Sequence, residues 1–179
     1  PGYLFEIGGE TEESAKANQS IVDQLPIAAL IIVLLLVGQF NSIRRATIVT
    51  LTIPLGLIGV ILGLLMTGSY FGFMTFLGII SLSGIVINNA IVLLDRVALE
   101  IADGHPPADA ILRASQLRLR PILLTTATTI GGLLPLWLGG GAMFEPMAIA
   151  IIFGMLFSTA LTLGVVPVLY SVFFRVRAA

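Results

Sequence analysis

Five long apolar runs divide the sequence, each close to the length that crosses a lipid bilayer. They cover about 25–40, 46–66, 71–95, 119–138 and 146–174. A spanning helix needs about 20 mostly apolar residues. Barrel strands alternate apolar and polar residues over about ten positions. These runs are apolar all round, so the expected fold is an all-α membrane protein, a bundle of five transmembrane helices. Asp23, Gln24 and Pro26 interrupt the start of the first run, and the fifth is long enough to tilt or project from the membrane. Pro26, Pro54, Pro135 and Pro167 lie inside the runs. Membrane bundles tolerate them because neighbouring groups satisfy the carbonyls that proline frees. Charged residues make up 11% of the chain, against about 25% in a soluble domain. The mean hydropathy is +1.06.

Small residues recur at helical spacing. Gly59 and Gly63, with Gly56 nearby, form one such face, and Gly154 with Ser158 forms another. Faces of this kind let helix backbones approach closely. The net charge of −1 gives no basic field for nucleic acid. With no cysteine and His105 as the single histidine, there is neither a disulfide nor a plausible transition-metal cluster. Residues 1–24 are polar and acidic, with Glu6, Glu10, Glu12, Glu13 and Asp23 against Lys16. They read as a linker leading into a helix with Thr11 as its N-cap. The chain opens Pro1-Gly2-Tyr3, with no initiator methionine and no signal-peptide pattern, and is expected to be a piece of a longer protein.

The basic residues are one-sided. Arg44 and Arg45 follow the first run, Arg96, Arg113, Arg118 and Arg120 follow the third, and Arg175 and Arg177 follow the fifth. Segments 67–70 and 139–145 hold no lysine or arginine, and Lys16 is the one basic residue on their side. Positive residues are retained in the cytoplasm, so the C-terminus is expected inside and the N-terminal segment outside. Gly104-His105-Pro106-Pro107 reads as a solvated turn. Residues 108–117, with Ile111 and Leu112 against Asp109, Arg113 and Gln116, read as a short amphipathic helix along the inner membrane face. Glu145 reads as a helix-start acid.

Polar residues inside a span are costly and mark candidate function. The third run carries Ser81, Ser83, Asn88 and Asn89 and ends at Asp95; Ser81, Gly84, Asn88 and Asp95 share one helical face. The fourth carries Thr125, Thr126, Thr128 and Thr129, of which Thr125, Thr128 and Thr129 share a face with Gly132. Two striped helices fit a hydrated seam, but spacing alone favours a seam where asparagine and threonine only hold helices together, at about 0.6–2 kcal/mol each. There is no nucleophile–base pair, phosphate loop or metal-ligand set, so enzymatic chemistry is not expected.

Several stretches resemble the last five transmembrane helices of the resistance-nodulation-division (RND) efflux permeases of the acriflavine-resistance type. They are Ile53-Pro54-Leu55-Gly56 with Gly59, the run Asn89-Ala90-Ile91-Val92-Leu93-Leu94-Asp95, and Val166-Pro167-Val168-Leu169-Tyr170. The most specific is Arg118-Leu119-Arg120-Pro121-Ile122-Leu123-Leu124-Thr125. Pro1-Gly2-Tyr3 with the acidic segment is similar to the end of the family's second periplasmic porter region. The resemblance covers essentially the whole chain. It implies a proton-driven exporter of drugs or amphiphiles in the bacterial inner membrane, with the proton-motive force in place of any cofactor. The implied partners are the N-terminal part of the same permease, two further copies in a homotrimer (or a heterotrimer), a periplasmic adaptor and an outer-membrane channel.

The family's proton relay joins two aspartates of helix 4, absent here, to a lysine of helix 10 and a threonine of helix 11. Thr125 falls at the threonine position, Asn89 matches a family asparagine, and Asn88 stands where many members carry the lysine. Asn88, Asn89 and Thr125 are therefore the relay candidates, with Ser81, Asp95 and Thr129 as accessory positions. Asparagine can hydrogen-bond a carboxylate but brings no positive charge. Either the distant aspartates titrate without an ionic partner, or a cation elsewhere replaces it. Export of another cargo, such as a lipid or metal ion, is an alternative. The five methionines look scattered along the chain, which ranks metal export lower. A non-transporting membrane scaffold is the remaining alternative.

Overall fold

The computed structural model describes residues 9–176, the side chains of Glu10 and Thr11 apart. The expected readings of Pro1-Gly2-Tyr3 and Arg177 fall outside them. Five helices fill the described chain: α1 Glu10–Phe40, α2 Ile43–Thr67, α3 Phe73–Ala102, α4 Pro107–Gly139 and α5 Gly141–Phe173. All five are long and apolar enough to cross a membrane. Their connections are short. Asn41, in the left-handed conformation, closes α1; Gly68, at φ 68°, closes α2; and Gly141, at φ 67°, turns α4 into α5.

Short turns make neighbours antiparallel, and the core records it in two clusters, one at each end. Leu36 and Phe40 of α1, Ile48 and Val49 of α2, Leu93, Leu94 and Val97 of α3, Ile111 and Ala114 of α4, and Val166 and Tyr170 of α5 pack together. At the other end, Val60 and Leu64 meet Leu82 and Val86 and, from α5, Ile149 and Met155. Arg44, Arg45, Arg96, Arg113, Arg118, Arg120 and Arg175 thus belong to the first end, as the alternation of spans required. There Arg44 lies over the Phe174 ring at 5.8 Å, and Phe174 stacks on Tyr170. At the opposite end the Tyr70 hydroxyl donates to the Ala142 carbonyl at 2.9 Å, tying the α2–α3 turn to the start of α5.

The two small-residue faces meet each other. A methyl group added at Gly59 would fall 2.6 Å from the Phe153 carbonyl oxygen and 3.0 Å from the Gly154 Cα. One added at Gly154 would collide with a Leu82 methyl and fall 2.8 Å from one of Val60. Helix α5, buried along much of its length, packs on α2, α3 and α4 and forms the centre of the bundle.

Helix boundaries depart from the sequence reading in three places. The segment 108–117 is no separate helix along the membrane: α4 runs unbroken from Pro107 through Pro121. Ala110, Ala114, Ile122 and Thr126, all buried, lie four or eight residues apart, so one continuous stripe packs the loop part and the membrane part alike. Packing along that stripe outweighs the single N–H lost at Pro121. Helix α5 begins before Pro146, so Glu145 sits in its second turn rather than at its start. Helix α1 begins at Glu10, capped by Gly9, so Thr11 is inside the first turn and not the N-cap.

Candidate functional site

A helix that packs on one side leaves the other side open, and on α3 the open side is polar. Leu82, Val86, Ala90, Leu93 and Val97 are buried, while Ser81, Gly84, Asn88 and Asp95 are exposed. The exposed set follows the helical repeat over two-thirds of a membrane crossing. Asn89, one position round, is half-buried. Ser83 is spent locally, its hydroxyl donating to the Ile79 carbonyl at 2.8 Å. Asn88 and Asn89 form no hydrogen bond to another described residue, so their amide groups are available to whatever covers this face.

On α4, Thr125 and Thr128 are exposed and Thr129 is half-buried. The Thr125 hydroxyl donates to the Pro121 carbonyl at 2.9 Å, and that of Thr128 donates to the carbonyls of Leu124 and Thr125 at 3.0 Å each. Thr125 therefore makes no bond to Asn88 within this chain. The structure leaves Ser81, Asn88 and Asp95 on the open face of α3 and Thr125 on an exposed side of the adjacent α4; it brings none of them into a closed site.

The threonine that does bridge helices is one the expected stripe left out. Thr126 is 5% exposed, and its hydroxyl lies 2.8 Å from that of Thr159 on α5. Its position in the sequence carried the signal, four residues after buried Ile122 and on the apolar stripe of α4. Thr162, 2% exposed, has a buried hydroxyl oxygen with no partner among the described residues.

Two further groupings differ from expectation. His105 is not a freely solvated turn residue. Its Nδ1 lies 3.1 Å from the Glu100 carbonyl oxygen and 3.4 Å from the Glu100 carboxylate, which is buried and also held by Arg96 at 2.5 Å. Of the methionines, Met74 and Met143 line one cavity of about 690 Å³ at the α2–α3 turn end, together with Glu13, Asn18 and Thr75. Among the described residues no group of three or more His, Cys, Asp or Glu side chains is arranged to hold a metal ion.

Residues 1–174 match the AcrB/AcrD/AcrF family. The chain is 35% identical over 177 residues to the swarming motility protein SwrC of Bacillus subtilis (strain 168), and the match covers 97% of this chain. It is 34% identical, with the same coverage, to the cobalt-zinc-cadmium resistance protein CzcA of Cupriavidus metallidurans. It spans 17% of the length of each of these relatives. A crystal structure of a heavy metal efflux pump superimposes with a TM-score of 0.79 at 27% identity, over 96% of this chain and 18% of that one. Five apolar helices, their antiparallel packing and the match along nearly the whole sequence lead to one conclusion: the chain belongs to the AcrB/AcrD/AcrF family of RND permeases and corresponds to a five-helix part of their membrane bundle.

Proposed function

We propose that this chain forms the second half of the membrane bundle of a proton-driven exporter, with Asn88, Asn89 and Thr125 on its proton path. The observation that carries this reading is the open polar face of α3. An intramembrane Asn or Asp turned to lipid is expensive, so Asn88 and the neighbouring polar positions need protein or water against them. The N-terminal half of the permease is the occupant we infer, bringing carboxylates that Asn88 and Thr125 can hydrogen-bond. Ser81, Asp95 and Thr129 would extend the same hydrated seam. The grouping of arginines at one end supports an orientation in the bacterial cytoplasmic membrane with that end, and the C-terminus, inside. Assembly as a homotrimer (or heterotrimer) with a periplasmic adaptor and an outer-membrane channel is part of the same proposal.

For cargo we infer a transition-metal cation. Support comes from the names of CzcA and of the superimposed heavy metal efflux pump. Export of an amphiphile is the second reading. It is favoured by the absence of a metal-ligand group among the described residues and by a relative of equal similarity, SwrC, whose name mentions no metal. The test is tolerance of an efflux-deficient host carrying the full-length protein toward Zn²⁺, Co²⁺ and Cd²⁺ and, separately, toward ethidium. Asn88→Leu and Thr125→Ala should abolish whichever tolerance appears while membrane abundance stays unchanged. Asn88→Lys keeps transport if the partner half retains a compatible carboxylate pair and loses it if the relay is tuned to asparagine. Wild-type export by both Asn88→Leu and Thr125→Ala rejects the site. Absence of proton flux from the intact protein would favour a scaffold.

A further inference from the structure

We propose that the Thr126–Thr159 hydroxyl pair is a rotational lock that sets the azimuth of α4 and so positions Thr125 for proton transfer. The inference rests on Thr125 belonging to the proton path.

Hydrogen inventory fixes the direction of the pair. The Thr126 hydroxyl lies 2.9 Å from the Ile122 carbonyl, and the Thr159 hydroxyl has no acceptor besides Thr126 among the described residues, so both protons are used only when Thr126 donates to Ile122. Its oxygen then receives the Thr159 proton across 2.8 Å. The chain Thr159 to Thr126 to Ile122 ends on the residue after Pro121, whose own carbonyl takes the Thr125 hydroxyl. Both threonines are at least 95% buried, so no water competes for them.

Within the membrane part of α4 few other side chains are buried, and the rest of its stripe, Ala110, Ile111 and Ala114, lies several turns away toward the N-terminal end of the helix. Between Pro121 and Gly139 only Ile122 and Thr126 are fully buried, helped by Trp137, whose ring meets Phe153 edge-on at 5.9 Å. Apolar contact is non-directional, whereas a hydroxyl pair demands one angle and one height. Consecutive helix residues point about 100° apart. Thr126 turned onto α5 therefore leaves Thr125 on the exposed flank. A helix free to turn would carry Thr125 away from the carboxylate it is to meet.

The pH dependence of transport tells this role from a purely structural one. Helix α4 has no titratable side chain after Arg120, α5 has none between Glu145 and Tyr170, α2 has none after Arg45, and α3 has none before Asp95. No group that titrates touches the pair within this chain. A pH profile moved by Thr126→Val must act through what Thr125 meets.

The full-length permease in proteoliposomes is the material for the test, with an imposed pH gradient and Zn²⁺ as cargo, or ethidium where Zn²⁺ is not moved. Thr126→Val and Thr159→Val keep side-chain volume and remove one hydroxyl each. Each is expected to slow transport by up to about a hundredfold, the scale of a reacting group misplaced by about 1 Å, and to shift the pH of half-maximal rate. The double variant should be no worse than either single, and Thr126→Ser should restore both readings. Independently of cargo, the thiol of Thr125→Cys should react with a small thiol reagent at a different rate once Thr126→Val is added. Additive losses, an unmoved pH profile or an unchanged thiol rate overturns the lock. A silent Thr125→Ala rejects the proton-path reading instead, and the thiol rate then decides the lock alone.

Discussion

At the scale of single residues, burial decided what the side chains do. Glu100 shows this best. It falls past the last apolar turn of α3, where a carboxylate is ordinarily solvated, yet it is 3% exposed. Arg96 reaches it from one turn back and His105 folds over it from the turn. Both neighbours of the His105 Nδ1 are acceptors, so Nδ1 carries the ring proton. Glu100→Ala would remove the shared acceptor and leave the Arg96 guanidinium without its described partner. A loss of about 2 kcal/mol is expected, the size of a hydrogen bond to a charged group. Thermal unfolding of the detergent-purified permease measures it. Glu100→Gln keeps a carbonyl acceptor and should lose less; equal stability of wild type and Glu100→Ala would show that the cluster contributes nothing. Sequence spacing could not reveal this cluster, because it depends on the turn bringing His105 back across five residues.

Among the elements, the α2–α5 seam was the most legible and the α4 boundary the least. Gly56, Gly59, Gly63, Gly154 and Ser158 announced close approach through their size alone, and those on α2 and those on α5 face each other. Gly59→Ala puts a methyl against the backbone carbonyl of Phe153, which cannot move without shifting α5. Overpacking of this kind is expected to cost about 2 kcal/mol and to lower the yield of folded protein. Gly164→Ala, with nothing within 4 Å, should be silent in the same comparison. If both behave alike in the thermal melt, the seam is looser than its geometry. The segment before Pro121 looked like a separate amphipathic helix because Ile111 and Leu112 alternate with Asp109, Arg113 and Gln116, unlike the apolar run that follows. Its buried stripe continues through the proline, a continuity visible only once α3 and α5 are in place.

Across the described residues, two of the open surfaces contrast in chemistry. Helix α1 is exposed from Val22 to Leu35 and packs through Leu36, Val37 and Phe40 at one end, while Asn18 near the other lines the cavity with Met74 and Thr75. Helix α3 presents its polar stripe. One open surface is apolar and suited to lipid or helices; the other is suited only to a hydrated partner. Orientation is testable without knowing cargo, since the chain has no cysteine of its own. In intact cells, cysteines placed beside Arg45 and Arg118 should stay unlabelled by an impermeant thiol reagent. One placed within Gly139–Gly141 should label. The reverse pattern would invert the proposed topology.

Periodicity, length and composition sufficed for five spanning helices, for the antiparallel order and for the small faces, because each is a property of one segment or its immediate neighbours. The same local logic put Asn88 and Asp95 on one side of α3. What the sequence left open was which of four clustered threonines turns inward, and what lies near Glu100. Neighbouring threonines are chemically equal, the four-residue spacing from Ile122 is a weak signal, and the helices packed around α4 decide that Thr126 is held by Thr159 while Thr125 faces out. A polar stripe is written in the helical repeat, but its exposure follows from where α5 sits, since each helix can bury only the side that its neighbours reach.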